Sequence, residues 1–296
     1  MTAAPTTGQL LQDAFDRAGV VAGFHAVDLA TGVEVAHHAD VPQVSASVFK
    51  VPVLVTLLRL ADAGELDLAE QVLVPVTDRA PGPTGLSVFS HPVTLSWQDL
   101  ARQMIVVSDN AATDVVMERV GTAAIAVAVK ELGLSTTAVV EDCRGLFRTV
   151  CEDEGLASLD ELVGVPTRAQ LDGWRAMRPL ETNHTTPRDT TRLLAALWDD
   201  SAASPESCAI GRAILGQQVW PHRLASGFPE DGIATAGKTG TLPGIRNEVG
   251  VVSYADGGRY AVACFTRAHE ASAKNYAADA VIGEAARIAV DALRGG

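Results

Sequence analysis

Residues 45–58 read SASVFKVPVLVTLL, and the apolar run continues to Gly64. The pattern predicts a buried helix over 47–65, with Pro52 in its first turns, where a missing N–H is best tolerated. Ser47 and Lys50 are three residues apart, so a helix sets them on one face, a hydroxyl beside an amine. A serine hydroxyl is a weak nucleophile until a base takes its proton. Desolvation by the surrounding apolar residues lowers an amine pKa and suits Lys50 to that task. The positive end of a helix also favours negative charge near the serine.

Lysine is scarce: only Lys50, Lys130, Lys238 and Lys274 occur among 23 basic residues. A motif that needs lysine therefore has few chances to arise by accident. Two further polar triplets sit beside apolar elements: Ser108-Asp109-Asn110 after Met-Ile-Val-Val, and Lys238-Thr239-Gly240 followed by Thr241. The chain has 296 residues, 47% hydrophobic and 20% charged, enough to bury a sizeable core without staples. The net charge of −13 repels phosphate backbones and anionic bilayers, so neither nucleic acid nor a membrane surface is an expected partner. Cys143, Cys151, Cys208 and Cys264 form no CxxC or Cys/His set, and no metal or other cofactor is expected. Cys143 and Cys151 are close enough in sequence to bridge, but free thiols are the expectation. The opening residues, MTAAPTTGQLLQDAFDRAGV, have no basic region followed by an apolar one, so no signal peptide is read. With no long apolar run to span a bilayer, this predicts a cytoplasmic protein, or a secreted one if a leader was removed.

Outward from the first motif, residues 8–18 predict a short helix and 20–37 two strands around Ala30-Thr31-Gly32. Residues 96–107 predict a helix with Ser96 as N-cap and Asp99 at the capping-box position. Residues 110–133 carry two helical stretches. Residues 186–199 predict a helix opened by Thr186-Pro187. Residues 248–254 and 259–267 predict a hairpin around Asp256-Gly257-Gly258, and 273–293 a C-terminal amphipathic helix. Strands at both ends and helices between them imply an α+β fold: an antiparallel sheet flanked by helices, with an inserted all-helical lobe. The expected division is a discontinuous sheet-and-helix domain, 1–46 with 205–296, and a helical domain, 47–204.

SxxK, SDN and KTG in that order resemble the serine β-lactamases and penicillin-binding proteins, class A β-lactamases most closely. The resemblance extends over DLARQMIVVSDNAATDVVMERVG, TTPRDTTRLLAAL and KTGTLPGIRNEVGVVSY, most of the chain. It implies that Ser47 attacks a carbonyl and becomes acylated, with Lys50 taking its proton. The N–H groups of Ser47 and Thr241 would form the oxyanion hole. Ser108 would pass a proton to the departing nitrogen. Asn110 would hold a substrate amide and contact Lys50, while Asp109 would support the loop. Lys238 and Thr239 would meet a substrate carboxylate, and Gly240 would let the edge strand approach closely. Arg246 is a second candidate for the carboxylate, against the alternative of an ordinary surface arginine.

The resemblance fails between Asn110 and Thr186, an interval longer than the family's. Class A enzymes deacylate with an omega-loop glutamate in the pattern ExxxN, which is absent here. Its expected position falls near Gln170. Glu181, Asp172, Glu161 and the cluster Glu152-Asp153-Glu154 are the candidate carboxylates; Glu181 is nearest the Thr-Thr-Pro segment, and 152–154 read best as a solvated acidic face. Asn183 stands where an aspartate usually closes the loop, so a rebuilt loop is expected. The implied function is hydrolysis of β-lactams through an acyl-enzyme on Ser47, with deacylation slow or served by an unfamiliar base. An esterase, thioesterase or D,D-peptidase-like enzyme is the same-class alternative, and a sensor acylated once and held is another. The substrate would be a small molecule bearing a carboxylate, and the protein a monomer.

Overall fold

The computed structural model describes residues 5–270, 272 and 274–295. In chain order the helices are α1 (Thr7–Ala18), α2 (Lys50–Asp62), α3 (Trp97–Val106), α4 (Asn110–Val120), α5 (Thr122–Glu131), α6 (Cys143–Glu154), α7 (Arg168–Gly173), α8 (Pro187–Trp198), α9 (Pro205–Leu215) and α10 (Tyr276–Leu293). The strands are β1 (Val20–Asp28), β2 (Glu34–His37), β3 (Gln43–Val44), β4 (Gln71–Val74), β5 (Val93–Ser96), β6 (His184–Thr185), β7 (Ile233–Leu242), β8 (Ile245–Tyr254) and β9 (Arg259–Ala268). The fold is the expected α+β arrangement. A five-stranded antiparallel sheet runs β2-β1-β9-β8-β7, and β1 pairs with β9, so the two ends of the chain meet at its centre.

Side-chain alternation along the central strands builds two cores, one on each face. Val249 and Val251 of β8, with Ala261, Ala263 and Phe265 of β9, face α2, α8 and α9. Val252, Tyr260, Val262 and Cys264 face α1 and α10 instead. The helix signals read from the sequence correspond to real caps. Ser96 Oγ accepts from Asp99 N–H at 3.1 Å, and Thr186 Oγ1 accepts from Asp189 N–H at 3.0 Å with Pro187 in the first turn. The predicted helix over 47–65 is shorter, because its first turn is a 3-10 turn over Ala46–Phe49 before α2 begins at Lys50.

The interval that departs from the family folds as α6, two 3-10 turns (Leu159–Glu161 and Arg175–Met177) and α7. Asn183 closes its neck. The Asn183 carboxamide accepts from Val140 N–H at 2.7 Å and Glu141 N–H at 3.1 Å, and donates to the Glu141 carbonyl at 2.8 Å. Glu152 and Asp153 are exposed, as read from the charge run, whereas Glu154 is half-buried, and all three are paired. Arg175 pairs with Glu152 and Asp153, and Glu154 accepts from the Trp174 indole and the Gln170 amide. The cluster thus clamps the segment around α7 onto α6. All four cysteines are free. Cys143 and Cys151 lie eight residues apart on α6, roughly 12 Å along a helix, beyond disulfide reach. Among the described residues no helix is long and apolar enough to cross a membrane.

Candidate active site

Three elements converge. The 3-10 turn carries Ser47, the α3–α4 junction carries Ser108 and Asn110, and β7 supplies Thr239 to Thr241. Antiparallel pairing sets Gly240 opposite Asn247 and Thr241 opposite Arg246. A Cβ on Gly240 would sit 2.7 Å from the Ser45 carbonyl oxygen, so only glycine lets β7 lie this close to the Ser47 turn. Asn247 anchors the same turn by donating to the carbonyls of Val44 and Ser45 at 2.9 and 3.2 Å. Ser45 in turn donates its N–H and hydroxyl to the Asn183 carbonyl. The turn before the serine is thereby tied to the sheet and to the neck of the inserted segment.

Lys50 is fully buried, and its Nζ donates to the Ser108 carbonyl at 2.8 Å and to Asn110 Oδ1 at 2.9 Å, with Ser108 Oγ at 3.4 Å. Burial pulls its pKa below the usual lysine range, with Asp109 and Asp114 opposing in part. A neutral Lys50 keeps those two N–H bonds and retains a lone pair for a hydroxyl proton. Ala46 (φ 44°) and Ser108 (φ 59°) adopt left-handed backbone, a cost of about 1–3 kcal/mol each. Asp109 supports the loop: its carboxylate accepts from the N–H groups of Ala111 and Ala112 at the start of α4 and from Leu86 N–H. Asn110 Nδ2 donates to the Pro81 carbonyl at 2.8 Å, which fixes the amide so that Oδ1 faces Lys50.

Lys238 is buried behind the strand and donates to the Thr239 carbonyl at 2.8 Å; it lines neither cleft described below. Burial, with the Lys50 and Arg223 charges, pulls its pKa well down. Nearby Glu248 accepts from Leu224 N–H and the Gln218 amide, and burial pushes its carboxyl up to about 7. Arg246 is buried rather than a surface arginine. It ion-pairs with Asp279 at 3.4 Å and donates to the carbonyls of Leu242 and Ile245.

The sequence reading passed over Arg223, which belongs to no motif. Its guanidinium pairs with Asp279 Oδ1 at 2.7 Å, donates to the carbonyls of Gly240 and Asn247, and reaches Thr241 Oγ1 at 2.8 Å. Only the tertiary fold brings this arginine beneath β7 and β8.

Ser47 lies at the junction of two clefts that also share Pro83, Asn110 and Thr241. One, about 350 Å³, is the more polar of the two, with Ser108, His222, Arg223 and Thr239 on its walls. The other, about 480 Å³, is mainly apolar, with Phe147, Leu162 and Leu242 on its walls. Cys143, at the start of α6, lines the apolar cleft with its Sγ 3.5 Å from Asn110 Oδ1, and burial pushes the thiol up to about 12. Among the described residues no Asp or Glu lines either cleft. Glu181 lies outside both, its side chain 46% exposed and paired with Arg178 at 3.5 Å. Asp172 pairs with Arg168 and Arg267, and Gln170 caps α7. Also among the described residues, no group of three or more His, Cys, Asp or Glu side chains could hold a metal ion.

A serine on a strained turn, a desolvated lysine behind it and the edge strand β7 beside it form an acyl-transfer constellation. The profile of the β-lactamase enzyme family matches residues 7–293. This chain belongs to the β-lactamase family. It is 33% identical over 300 residues to the β-lactamase regulatory protein BlaB of Streptomyces cacaoi, covering 96% of each chain. Among solved structures, a β-lactamase from Sphaerobacter thermophilus superposes with a TM-score of 0.79 at 28% identity, covering 98% of this chain and 97% of that one. A mutant of PBP-A, solved as its acyl-enzyme complex with penicillin G, shares the fold at a TM-score of 0.77 and 22% identity, covering 98% of this chain and 96% of that one.

Proposed function

We propose that Ser47 is acylated by β-lactams and that the acyl-enzyme is hydrolysed slowly. The observation that carries this reading is Lys50, fully buried and held between Ser108 and Asn110 one turn from Ser47. In the proposed step Ser47 Oγ bonds to the lactam carbonyl carbon and the carbon–nitrogen bond breaks. The serine proton passes to neutral Lys50 and from there, through Ser108, to the departing nitrogen. The N–H groups of Ser47 and Thr241 hold the oxyanion while it exists. The substrate carboxylate lies in the polar cleft, where Arg223, Thr239 and Thr241 converge and where cationic charge offsets the acidic surface.

Completion of turnover adds water to the acyl carbon and returns the proton to Ser47. That step requires a base beside the ester, and among the described residues neither cleft presents a carboxylate. The same observation favours a second reading, a sensor that holds its acyl group. The similarity to the β-lactamase regulatory protein of Streptomyces cacaoi lends it support. Mixing the protein with nitrocefin and with benzylpenicillin, while following absorbance and intact mass, tests both. The expected result is one equivalent of adduct on Ser47 that decays slowly and is absent in Ser47→Ala. Fast steady turnover would overturn slow deacylation. Absence of both adduct and turnover would overturn acylation by β-lactams.

A further inference from the structure

The apolar cleft borders a second cavity. Leu146, Phe147, Leu162, Leu242 and Pro243 also line a second chamber of about 220 Å³ behind it. That chamber ends at Val150, Leu159, Trp174, Ala176 and Met177, so every residue around it is apolar. The Trp174 indole N–H is taken up by Glu154. Most of the far wall comes from the inserted segment that departs from the family pattern, and the Arg175 and Glu154 clamps hold that wall in place. Five of the chamber's residues also line the cleft that contains Ser47.

The two clefts also differ in chemistry on either side of Ser47. Arg223, Thr239 and Ser108 stand on the polar side; on the other side the cleft beside Ser47 is mainly apolar, with Arg246 and Ser272 also in its lining, and the further chamber is apolar throughout. We infer that the chamber is an acyl-chain pocket. The group transferred to Ser47 carries a long unbranched or aryl-alkyl chain that runs past Phe147 and Leu242 to Trp174 and Met177. Its substrate class is an ester, thioester or amide of an apolar carboxylic acid, with the polar part leaving on the Arg223 side. This rests on the proposed acylation of Ser47.

A p-nitrophenyl ester series (acetate, butyrate, octanoate) tests it, read as second-order acylation rate and intact mass. In each reaction Ser47 Oγ bonds to the acyl carbon, the bond to the aryl oxygen breaks, p-nitrophenolate leaves, and the serine proton passes through Lys50 to solvent. Burying one more methylene raises the rate constant about fourfold, so octanoate should exceed acetate by at least about a hundredfold. Ala176→Trp, which fills the chamber, should bring the octanoate-to-acetate ratio toward one. Leu162→Asp, at the half-buried junction of the two cavities, should do the same and serves if Ala176→Trp fails to fold. Equal rates across the series, with Ser47 labelled by each ester, would overturn the pocket and leave the acylation reading standing. A ratio preserved in a folded variant would overturn it as well. Failure of every ester and of benzylpenicillin to label Ser47 would overturn both.

Discussion

Asp279 is the most exacting test of how the floor of the site is held. Its Oδ1 receives both Arg223 at 2.7 Å and Arg246 at 3.4 Å. The Arg223 side chain is 5% exposed and that of Arg246 7%, so neither guanidinium can turn to bulk water when its partner is removed. Breaking a buried ion pair from one side costs about 3–5 kcal/mol, since the remaining charge stays desolvated. Asp279→Asn keeps one acceptor oxygen and belongs at the lower end; Asp279→Ala loses both and belongs at the upper. Unfolding entropy of about 2.1 cal/mol/K per residue, over the whole chain, converts that range to a fall in Tm of about 5–8 °C. Scanning calorimetry at neutral pH measures it. Arg223 also donates to the carbonyls of Gly240 and Asn247 and to the Thr241 hydroxyl, so the same variants should slow β-lactam acylation about tenfold, equivalent to roughly 1.4 kcal/mol of barrier. A Tm within about 1 °C of the parent would refute the reasoning that this carboxylate neutralises both arginines.

Three other outcomes follow from the same geometry. Acylation should rise with pH and level off above the lowered pKa of Lys50, because only the neutral amine accepts the serine proton; Lys50→Arg, which stays charged, should lose about 10²–10⁴-fold in a stopped-flow assay with nitrocefin. Glu248, pushed up to about 7, binds a proton in the folded state that the unfolded chain has already released, so its contribution to stability is largest below pH 4.5 and is lost as pH rises through about 7; urea melts should show that loss in the parent and its absence in Glu248→Gln. Asn183→Ala leaves the N–H groups of Val140 and Glu141 without their acceptor, at about 1–3 kcal/mol each, and limited proteolysis between 155 and 182 should accelerate at least tenfold.

Much of the fold was legible because it rests on local rules. Ser96 and Thr186 cap helices in the way their side chains dictate, and the Asp256-Gly257-Gly258 turn joins β8 to β9. Helix α9 carries the same cap-and-proline signal at Ser204-Pro205. The inserted segment resisted reading for another reason. Glu152 and Asp153 stay exposed, as a charge run implies, but no local pattern signals that Arg175, Trp174 and Gln170 arrive from later in the chain to pair with the cluster.

By itself the sequence singled out candidates for acyl-transfer chemistry: the scarce Lys50, the serine three residues before it, and a glycine where a strand must pass close; Lys238, equally scarce, lies behind the strand and lines neither cleft. Those are properties of residue type and short spacing, and the local backbone preserves them. Tertiary structure alone decided that Arg223 joins Arg246 on one carboxylate, that Cys143 comes to Asn110, and that no carboxylate among the described residues lines the clefts beside Ser47. It also decided that an apolar chamber opens behind them. Each of these depends on contacts between segments tens of residues apart, and their packing is fixed by the whole core rather than by any one stretch of chain.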